Sequence, residues 1–430
     1  MFSAGGSLVT ATGTPFPSAK VVSVTSIRPT QAVILAGGLG TRLGELTREV
    51  PKPMVCVAGR PFLDYLLDLL VEQGFERVTL LLGYRAETVI KHVDDGRKWG
   101  IVIDHVVTPP DVQTLTRLRA ALPRLDPIVL MAYCDNYVPL DFPAMWDEFT
   151  SDDAAVQVTA YANDDGFTRN NMLVDERGRV MAYDPSRTSS DLNRVDLGFA
   201  IIDRQRLGPF PRGDLPFEHA VYSDLVRHGR LRAHVTSHRY YGVGSASRLP
   251  AAERFFSRCP AVILDRDGVL NRRAGIGEYV TRPEEFVWLE GARKALRMFT
   301  LAGIRILIVT NQAGIARGIM THSDLDAVHG KLLSEAAAAG GTIDRIYHCP
   351  HGWDDGCKCR KPAPGMLLQA QRDFDLDLSR TVFVGDTEVD RQAAIAAGCK
   401  YRHVDARHEL RDVAEELMNR EHTDEGVGDW

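Results

Sequence analysis

The sequence contains no apolar run that approaches the length of about 18 residues that a membrane-spanning helix requires. Its first 30 residues also lack the order of a secretory signal, in which a positively charged segment precedes an apolar one. Both absences argue against a membrane-spanning or secreted protein. We therefore expect a cytoplasmic protein that has no membrane partner.

Lysine is scarce, with nine residues against 42 arginines, and no run of lysine or arginine forms a basic stripe. The formal net charge is −6 at pH 7. A modest negative charge without a basic patch argues against binding to nucleic acid, so we expect phosphate groups to be recognised in local pockets. The scarcity also makes each lysine inside a motif more informative.

Cysteine occurs only seven times, which is an odd number, and the seven residues are unevenly distributed along the chain. Three of them, Cys349, Cys357 and Cys359, lie within eleven residues of one another, and the other four are scattered. A reducing compartment and one metal site fit this pattern better than a disulfide framework does.

The 430 residues are too many for one compact core and indicate two or three domains. Apolar strand-like runs alternate with helical patterns in two series. The first series comprises Ala32–Leu35, Val78–Leu82, Ile101–Val106 and Ile128–Met131, and the second comprises Ala261–Leu264, Ile304–Val309, Thr342–His348 and Thr381–Val384. The alternation predicts an α/β fold of two doubly wound domains, each with a mostly parallel sheet.

The domain boundaries follow from composition. Residues 1–29 are rich in glycine, serine, threonine and proline and are predicted to form a flexible lead-in. The polar stretch 245–258 is predicted to be a short linking helix, which divides a first domain at 30–257 from a second at 258–410. The acidic end at 411–430 is expected to be frayed.

Two carboxylates, Asp265 and Asp267, directly follow the buried run Ala261–Leu264. The carboxyl ends of strands are where ligands bind in an open α/β sheet. At this spacing Asp265 can attack phosphorus to form an aspartyl phosphate, while Asp267 protonates the leaving alcohol and then activates water. Gly268 allows the backbone to turn sharply beside them.

Three further polar groups follow later strands of the second domain. Hydroxyl and amide groups after the second strand would contact phosphate oxygens, a lysine would neutralise the phosphoryl group, and two more carboxylates would complete a magnesium site. These groups are Thr310, Asn311, Gln312, Lys361, Asp386 and Asp390, and the predicted magnesium ligands are Asp265, Asp267 and Asp386.

The segment from Cys349 to Cys359 supplies three thiolates and the imidazole of His351 in one short loop. Three cysteines and one histidine form a closed tetrahedral zinc set without an open position for catalysis. The predicted zinc ligands are therefore Cys349, His351, Cys357 and Cys359. The loop leads directly into Lys361, so zinc would hold the phosphate-binding segment in place.

These motifs resemble those of the haloacid-dehalogenase (HAD) phosphatase superfamily, and within it the heptose 1,7-bisphosphate phosphatases. The similarity covers roughly residues 260–405. It implies that Arg317 and Arg360 contact phosphate or substrate. The histidinol-phosphate phosphatases share the same zinc loop, so the motifs leave the choice between the two substrates open.

A glycine-rich run follows the first strand and is itself followed by Pro51-Lys52-Pro53. Such a turn lets backbone N–H groups approach the phosphates of a nucleotide, while Arg42 and Lys52 would offset the charge on the reacting phosphorus. The predicted nucleotide contacts are Gly37, Gly38, Gly40 and Thr41, and Arg42 and Lys52 are the predicted catalytic residues. The whole run resembles that of sugar-1-phosphate nucleotidylyltransferases, including the heptose 1-phosphate guanylyltransferase type.

The resemblance assigns further roles in the first domain. Asp135 matches the first magnesium-binding aspartate of the nucleotidylyltransferases, and Asp196 and Gly198 match a segment that contacts sugar. Three of the family's segments differ here. The second metal aspartate is replaced by Gly242, the lysine-bearing segment reads Tyr183 to Ser186, and a nucleotide-contacting loop reads Gln113 to Thr116. Asp104 and Asp224 are candidates to replace the missing ligand.

The leading hypothesis is a bifunctional enzyme with Mg²⁺ and Zn²⁺ as cofactors and with sugar phosphate and NTP as small-molecule substrates. The second domain, a phosphomonoesterase, would remove the 7-phosphate of heptose 1,7-bisphosphate, and the first would transfer a nucleotidyl group, with GTP favoured as donor, onto heptose 1-phosphate. One alternative makes the first domain a non-catalytic nucleotide-binding or sugar-binding module. Another makes the protein a histidinol-phosphate phosphatase.

Overall fold

Two sheets organise the chain in the computed structural model, which describes residues 28–257, 259–275 and 277–420. Most of the lead-in predicted at 1–29 and the residues 421–430 lie outside these ranges. The first domain contains thirteen described strands: β1 Gln31–Ala36, β2 Cys56–Val57, β3 Arg60–Pro61, β4 Arg77–Leu82, β5 Val102–Val107, β6 Ile128–Tyr133, β7 Asn136–Tyr137, β8 Val156–Tyr161, β9 Met172–Val174, β10 Val180–Tyr183, β11 Val195–Asp203, β12 Leu231–Thr236 and β13 Tyr241–Gly242.

Seven of these strands form one sheet in the order β12-β8-β11-β6-β1-β4-β5. Strand β11 runs antiparallel to both of its neighbours, and the other pairs are parallel. Six shorter strands pair as two-stranded ribbons, β2 with β3, β7 with β13 and β9 with β10. The prediction of a mostly parallel sheet is confirmed for this domain.

Helices cover both faces of this sheet. They are α1 Leu46–Glu49, α2 Phe62–Glu72, α3 Ala86–Val93, α4 Thr114–Ala121, α5 Phe142–Thr150, α6 Arg204–Leu207, α7 Phe217–Arg227 and α8 Leu249–Phe256. Successive side chains of a strand point to opposite faces. Ala32 and Ile34 therefore join the core beneath α2, α5 and α8, whereas Val33 and Leu35 join the core beneath α4 and α7.

The second domain has five parallel strands in the order β16-β15-β14-β17-β18. They are β14 Ala261–Leu264, β15 Arg305–Asn311, β16 Arg345–Cys349, β17 Val382–Gly385 and β18 Lys400–His403. The helices are α9 Ala292–Leu301, α10 His322–Ala338, α11 Gly365–Phe374, α12 Glu388–Ala397 and α13 Leu410–Arg420. Helices α9, α10 and α13 share one core, and α11 and α12 share the other.

The prediction of a frayed segment from residue 411 onward is wrong for residues 411–420. Helix α13 places Val413, Ala414 and Leu417 in the core beside α9. Ala414 and Leu417 are three residues apart and Val413 and Leu417 four apart, and both spacings share a face of a helix, so these apolar side chains anchor it. The second domain therefore extends at least to residue 420.

The predicted linking helix is present as α8, but it belongs to the first domain. Ala252, Phe255 and Phe256 are buried in the core of that domain. Across the described part of the chain, no helix is both long enough and apolar enough to cross a bilayer.

Candidate active sites

Asp265 lies at the carboxyl end of the central strand β14, where parallel packing buries it almost completely. The ammonium group of Lys361 lies between two carboxylates, with Nζ 2.8 Å from Asp265 Oδ1 and 2.6 Å from Asp390 Oδ1. Lys361 Nζ also donates to the carbonyl oxygen of Val309, at 3.1 Å. The predicted nucleophile and the predicted phosphate-neutralising lysine are thus in direct contact.

Burial dominates the electrostatics of this pair. It raises the pKa of Asp265, and the neighbouring negative charges of Asp390 and Asp267 act in the same direction, while Lys361 opposes them. Burial alone would lower the pKa of Lys361, but Asp265 and Asp390 keep it above its ordinary value. The lysine is therefore held as a cation beside the predicted nucleophile.

Asp267 is held in one orientation by donors on three sides. Its Oδ1 accepts from Asn271 Nδ2 at 2.9 Å, and its Oδ2 accepts from Gln312 Nε2 at 2.9 Å and Arg266 Nη2 at 2.8 Å. Although burial opposes ionisation, Arg266 and the two amides lower the pKa of Asp267. Arg266 is fully buried and also contacts His329 Nε2 at 3.2 Å.

A group of carboxylates suited to a divalent cation lies beside the nucleophile. Ligand oxygens of Asp265, Asp386 and Asp390 lie within 4.8 Å of one another. A Cβ atom on Gly268 would come within 1.9 Å of Asp386 Oδ2, so a side chain there would fill the space that the carboxylates surround. Hard oxygen donors of this kind fit Mg²⁺. The carboxylate of Asp267 is not in this group, so the assignment of Asp267 as a magnesium ligand stays a prediction.

Asp265, Asp267, Lys361 and Asp390 line a cavity of about 490 Å³. The predicted substrate contacts Thr310, Asn311, Gln312 and Arg360 all line it, together with Arg273, Tyr279 and Trp353. Arg317 lies next to the cavity, with its guanidinium carbon 5.6 Å from the centre of the Trp353 ring.

The amide of Asn311 is already used within the protein. Its Nδ2 donates to the carbonyl of Lys361 at 3.0 Å, and its Oδ1 accepts from the backbone N–H of Lys361 at 3.1 Å. Asn311 therefore fixes the backbone that carries the lysine, a function that the sequence alone did not indicate.

The four predicted zinc ligands converge in one cluster. Cys349 Sγ lies 3.6 Å from Cys357 Sγ and 3.4 Å from Cys359 Sγ, and His351 Nδ1 lies 3.2 Å from Cys359 Sγ. Zn–S bonds of about 2.3 Å require edges slightly under about 4 Å in a tetrahedron, so these separations fit zinc. They are too long for a disulfide. Burial raises the pKa of the Cys349 thiol, so binding a metal there would release protons.

In the first domain, the glycine-rich turn and its partners line a cavity of about 410 Å³. Gly37, Gly38, Gly40, Thr41, Arg42, Lys52 and Asp135 are brought together there as predicted, along with Gln113 and Thr114. Lys52 Nζ forms an ion pair with Asp135 Oδ2.

Arg117, on helix α4, organises this cavity from beneath, although no motif singled it out. Its side chain is buried and donates to the carbonyl oxygens of Leu82 at 3.1 Å and of Gly37 and Pro110 at 3.0 Å. A Cβ atom on Gly37 would lie 2.2 Å from Arg117 Nη1, which explains why glycine occupies that position.

An adjoining cavity of about 350 Å³ contains the predicted sugar contacts Asp196 and Gly198 and shares Arg42, Tyr133 and Asp135 with the first. Burial, and secondarily the charge of Glu218, raises the pKa of Asp196 to about 7. Gly198 has a φ of +81°, and a Cβ atom there would lie 2.9 Å from the Tyr133 ring.

The missing second aspartate has a local explanation. A Cβ atom on Gly242 would lie 2.4 Å from the carbonyl oxygen of Asp135, so this position has no room for a side chain. The open space is beside Gly244, where a Cβ would lie 3.7 Å from Asp135 Oδ2. Asp104 and Asp224 line neither cavity and instead pair with Arg124 and Arg227, so neither replaces the ligand.

Comparison with known proteins gives two family matches, one in each domain. Residues 31–170 match the family described as nucleotidyl transferase, and residues 358–414 match the family described as HAD-hydrolase-like. The D-glycero-beta-D-manno-heptose-1,7-bisphosphate 7-phosphatase of Bordetella bronchiseptica is 44% identical over 138 residues, which are 32% of this chain and 76% of that relative.

Two solved structures resemble one domain each. D,D-heptose 1,7-bisphosphate phosphatase from B. bronchiseptica, complexed with magnesium and phosphate, is 37% identical, with a TM-score of 0.35, and covers 37% of this chain and 98% of its own. HddC from Yersinia pseudotuberculosis, complexed with GMP-PN, is 25% identical, with a TM-score of 0.47, and covers 53% of this chain and 100% of its own.

Proposed function

The chain belongs, through its carboxy-terminal domain, to the family of D-glycero-D-manno-heptose-1,7-bisphosphate 7-phosphatases, and we propose that this domain removes the 7-phosphate of such a bisphosphate. The observation that carries the proposal is the buried contact of Lys361 with Asp265 and Asp390 at a cavity of about 490 Å³. The amino-terminal domain is a nucleotidyltransferase domain, for which we propose GTP as donor and heptose 1-phosphate as acceptor.

The phosphatase reaction proceeds in two steps. Because the pKa of Asp267 is lowered, this carboxylate must first take up a proton. An oxygen of Asp265 then attacks phosphorus, the bond from phosphorus to the 7-oxygen breaks, and Asp267 gives that proton to the departing alkoxide. Asp267 then takes a proton from water, whose oxygen attacks the aspartyl phosphate and releases inorganic phosphate. Arg266, Asn271 and Gln312 keep the carboxylate of Asp267 in place through both steps.

Charge compensation is divided between the protein and a metal ion. Lys361 remains a cation and offsets the phosphoryl charge from within the site. Asp265, Asp386 and Asp390 would hold Mg²⁺, which supplies further positive charge to the phosphoryl oxygens. Cys349, His351, Cys357 and Cys359 would hold Zn²⁺, whose contribution is to fix the segment that carries Arg360 and Lys361.

In the amino-terminal domain, an oxygen of the sugar 1-phosphate attacks the α-phosphorus of the nucleotide and pyrophosphate leaves. Arg42 lines both cavities and Lys52 lines the nucleotide cavity, so both are available to offset charge on the reacting phosphorus. Asp135 would be the ligand of Mg²⁺ at this site.

The test measures two products separately from the same full-length protein. Phosphate release is compared among the two anomers of heptose 1,7-bisphosphate and histidinol phosphate. Pyrophosphate release is then measured with the resulting heptose 1-phosphate and each of GTP, ATP, CTP and UTP. Preferential turnover of histidinol phosphate would overturn the phosphatase proposal. Binding of a nucleotide without pyrophosphate release would make the amino-terminal domain a binding module, an outcome for which Gly242 is the specific reason.

A further inference from the structure

The short strand β13 holds the backbone of the metal-binding candidate Asp135. Gly242 pairs with Asn136, the residue after Asp135, in the antiparallel ribbon formed by β13 and β7. The N–H of Val243 donates to the carbonyl oxygen of Asp135 at 3.0 Å. Because Gly242 has no side chain, the strand approaches that carbonyl closely. Any displacement of β13 therefore moves Asp135.

The same strand also contacts the phosphatase domain through Tyr241. The Tyr241 ring is buried and stacks on Phe255 of α8, with 3.9 Å between ring centroids. Gln371 on helix α11 donates from Nε2 to the Tyr241 hydroxyl at 2.8 Å, and that hydroxyl donates to Asp375 Oδ1 at 3.3 Å. Gln371 is fully buried, so this contact is excluded from solvent.

Further hydrogen bonds join the same two parts of the domains. The backbone N–H of Leu378 donates to His238 Nε2 at 3.2 Å, and His238 Nδ1 lies 2.6 Å from the carbonyl oxygen of Arg239. Arg254 Nε donates to Asp375 Oδ2 at 2.7 Å. Helix α11 and the loop that follows it therefore cover the segment that leads into β13.

We propose that Tyr241 and Gln371 are positioning residues through which the phosphatase domain fixes Asp135 in the nucleotidyltransferase site. The inference rests on the proposed nucleotidyl transfer, because it assigns the phosphatase domain a structural part in that second reaction. Docking of the phosphatase domain holds β13, β13 holds the backbone of Asp135, and Asp135 is the carboxylate that we propose as the metal ligand there. The coupling has one direction, because the phosphatase domain positions a residue of the nucleotidyltransferase site.

The test uses two conservative variants of the full chain. Gln371→Leu removes the donor to Tyr241, and it also removes a buried carbonyl oxygen that has no hydrogen-bond partner. Tyr241→Phe keeps the stacked ring and removes the hydroxyl. We expect each variant to raise the Mg²⁺ concentration for half-maximal pyrophosphate release by about tenfold, as loss of an outer partner of a metal ligand does. Phosphate release should remain within about twofold of the wild-type rate. In the double variant, the Mg²⁺ concentration for half-maximal pyrophosphate release should rise by less than the product of the two single increases.

A matched control breaks another contact between the domains. Asp164 forms an exposed ion pair with Lys358 of the second domain, and this pair includes no residue of β7 or β13, so Asp164→Asn should leave both activities unchanged. Hydrogen exchange at the Val243 amide gives a readout that does not require turnover. It should accelerate in Gln371→Leu and Tyr241→Phe but not in Asp164→Asn.

The possible outcomes distinguish the proposed nucleotidyl transfer from the proposed positioning of Asp135. A wild-type protein that releases no pyrophosphate with any NTP would refute the proposed transfer, and the exchange experiment would still decide the positioning. Unchanged exchange at Val243 in both variants, or an unchanged Mg²⁺ requirement in an active enzyme, would overturn the inference.

Discussion

Lys361 illustrates how much of the phosphatase chemistry depends on single buried charges. One ammonium group contacts two carboxylates, and both of them help to keep it charged. Arg273 and Arg360 line the same cavity and add positive charge for an anionic phosphoryl group. A cation held by Asp265, Asp386 and Asp390 would add more.

Asp265→Asn should reduce phosphate release to below about one per cent of wild type, because an amide cannot form the acyl phosphate. The substitution also removes one of the buried negative charges, and Lys361 keeps Asp390 as a partner. The melting temperature should therefore be unchanged or higher. A steady-state phosphate assay and a thermal melt check both points, and substantial activity in a clean preparation would exclude the covalent mechanism.

Asp196 gives a prediction about pH. Its pKa is raised to about 7 in the folded protein by burial and by Glu218, from an ordinary value of about 4. The folded state therefore binds this proton more tightly than the unfolded state, and stability declines as pH rises between these two values. Asp196→Asn should raise the melting temperature at pH 8 more than at pH 5. Equal effects at both values would contradict the raised pKa.

At the scale of elements, the zinc loop connects strand β16 to the segment that carries Lys361. Cys357→Ser should lower the zinc content from about one equivalent per chain and reduce phosphate release, because the loop then no longer orders the residues before Lys361. Cys259→Ser is the matched control, since this exposed cysteine lies outside the cluster. Elemental analysis, activity and a thermal melt are measured on each. A zinc-free protein with full activity would refute the role of the loop.

Aspartate substitutions at two glycines in and after strand β13 should have opposite effects on the nucleotidyltransferase site. Gly242→Asp should disrupt the strand, because its Cβ would overlap the carbonyl oxygen of Asp135. Gly244→Asp adds a carboxylate where space exists beside Asp135 Oδ2, and it should lower the Mg²⁺ requirement for pyrophosphate release roughly tenfold. A magnesium titration of both variants tests the pair. An improvement with Gly242→Asp alone would show that the ligand position is misassigned.

The elements that could be predicted from the sequence are those marked by a pattern among neighbouring residues. The strand Ala261–Leu264 and the aspartates after it were predictable, because a continuous apolar run marks a buried parallel strand. The contact of Arg266 with His329 spans 63 residues, and no periodicity encodes it. Arg117 was missed for the same reason. The apolar spacing in α13 was a usable signal that its polar composition obscured.

At the scale of the molecule, each candidate active site lies at the carboxyl ends of the strands of its own sheet. Asp135→Ala should therefore abolish pyrophosphate release while phosphate release from the bisphosphate remains within about twofold of wild type, since the substituted side chain contacts Lys52 and not the phosphatase domain. Both products are followed in one reaction mixture. Parallel loss of the two activities would mean that the substitution acts through the whole fold.

The contact between Tyr241 and Gln371 also has a consequence for synthesis on the ribosome. The two residues are 130 positions apart, and chain elongation proceeds at about 5–20 residues per second. After Tyr241 has been made, its partner is absent for roughly ten seconds. The face of the first domain that bears Tyr241 and His238 is thus uncovered during that interval, and cellular factors that shield nascent chains should act there before the second domain is complete.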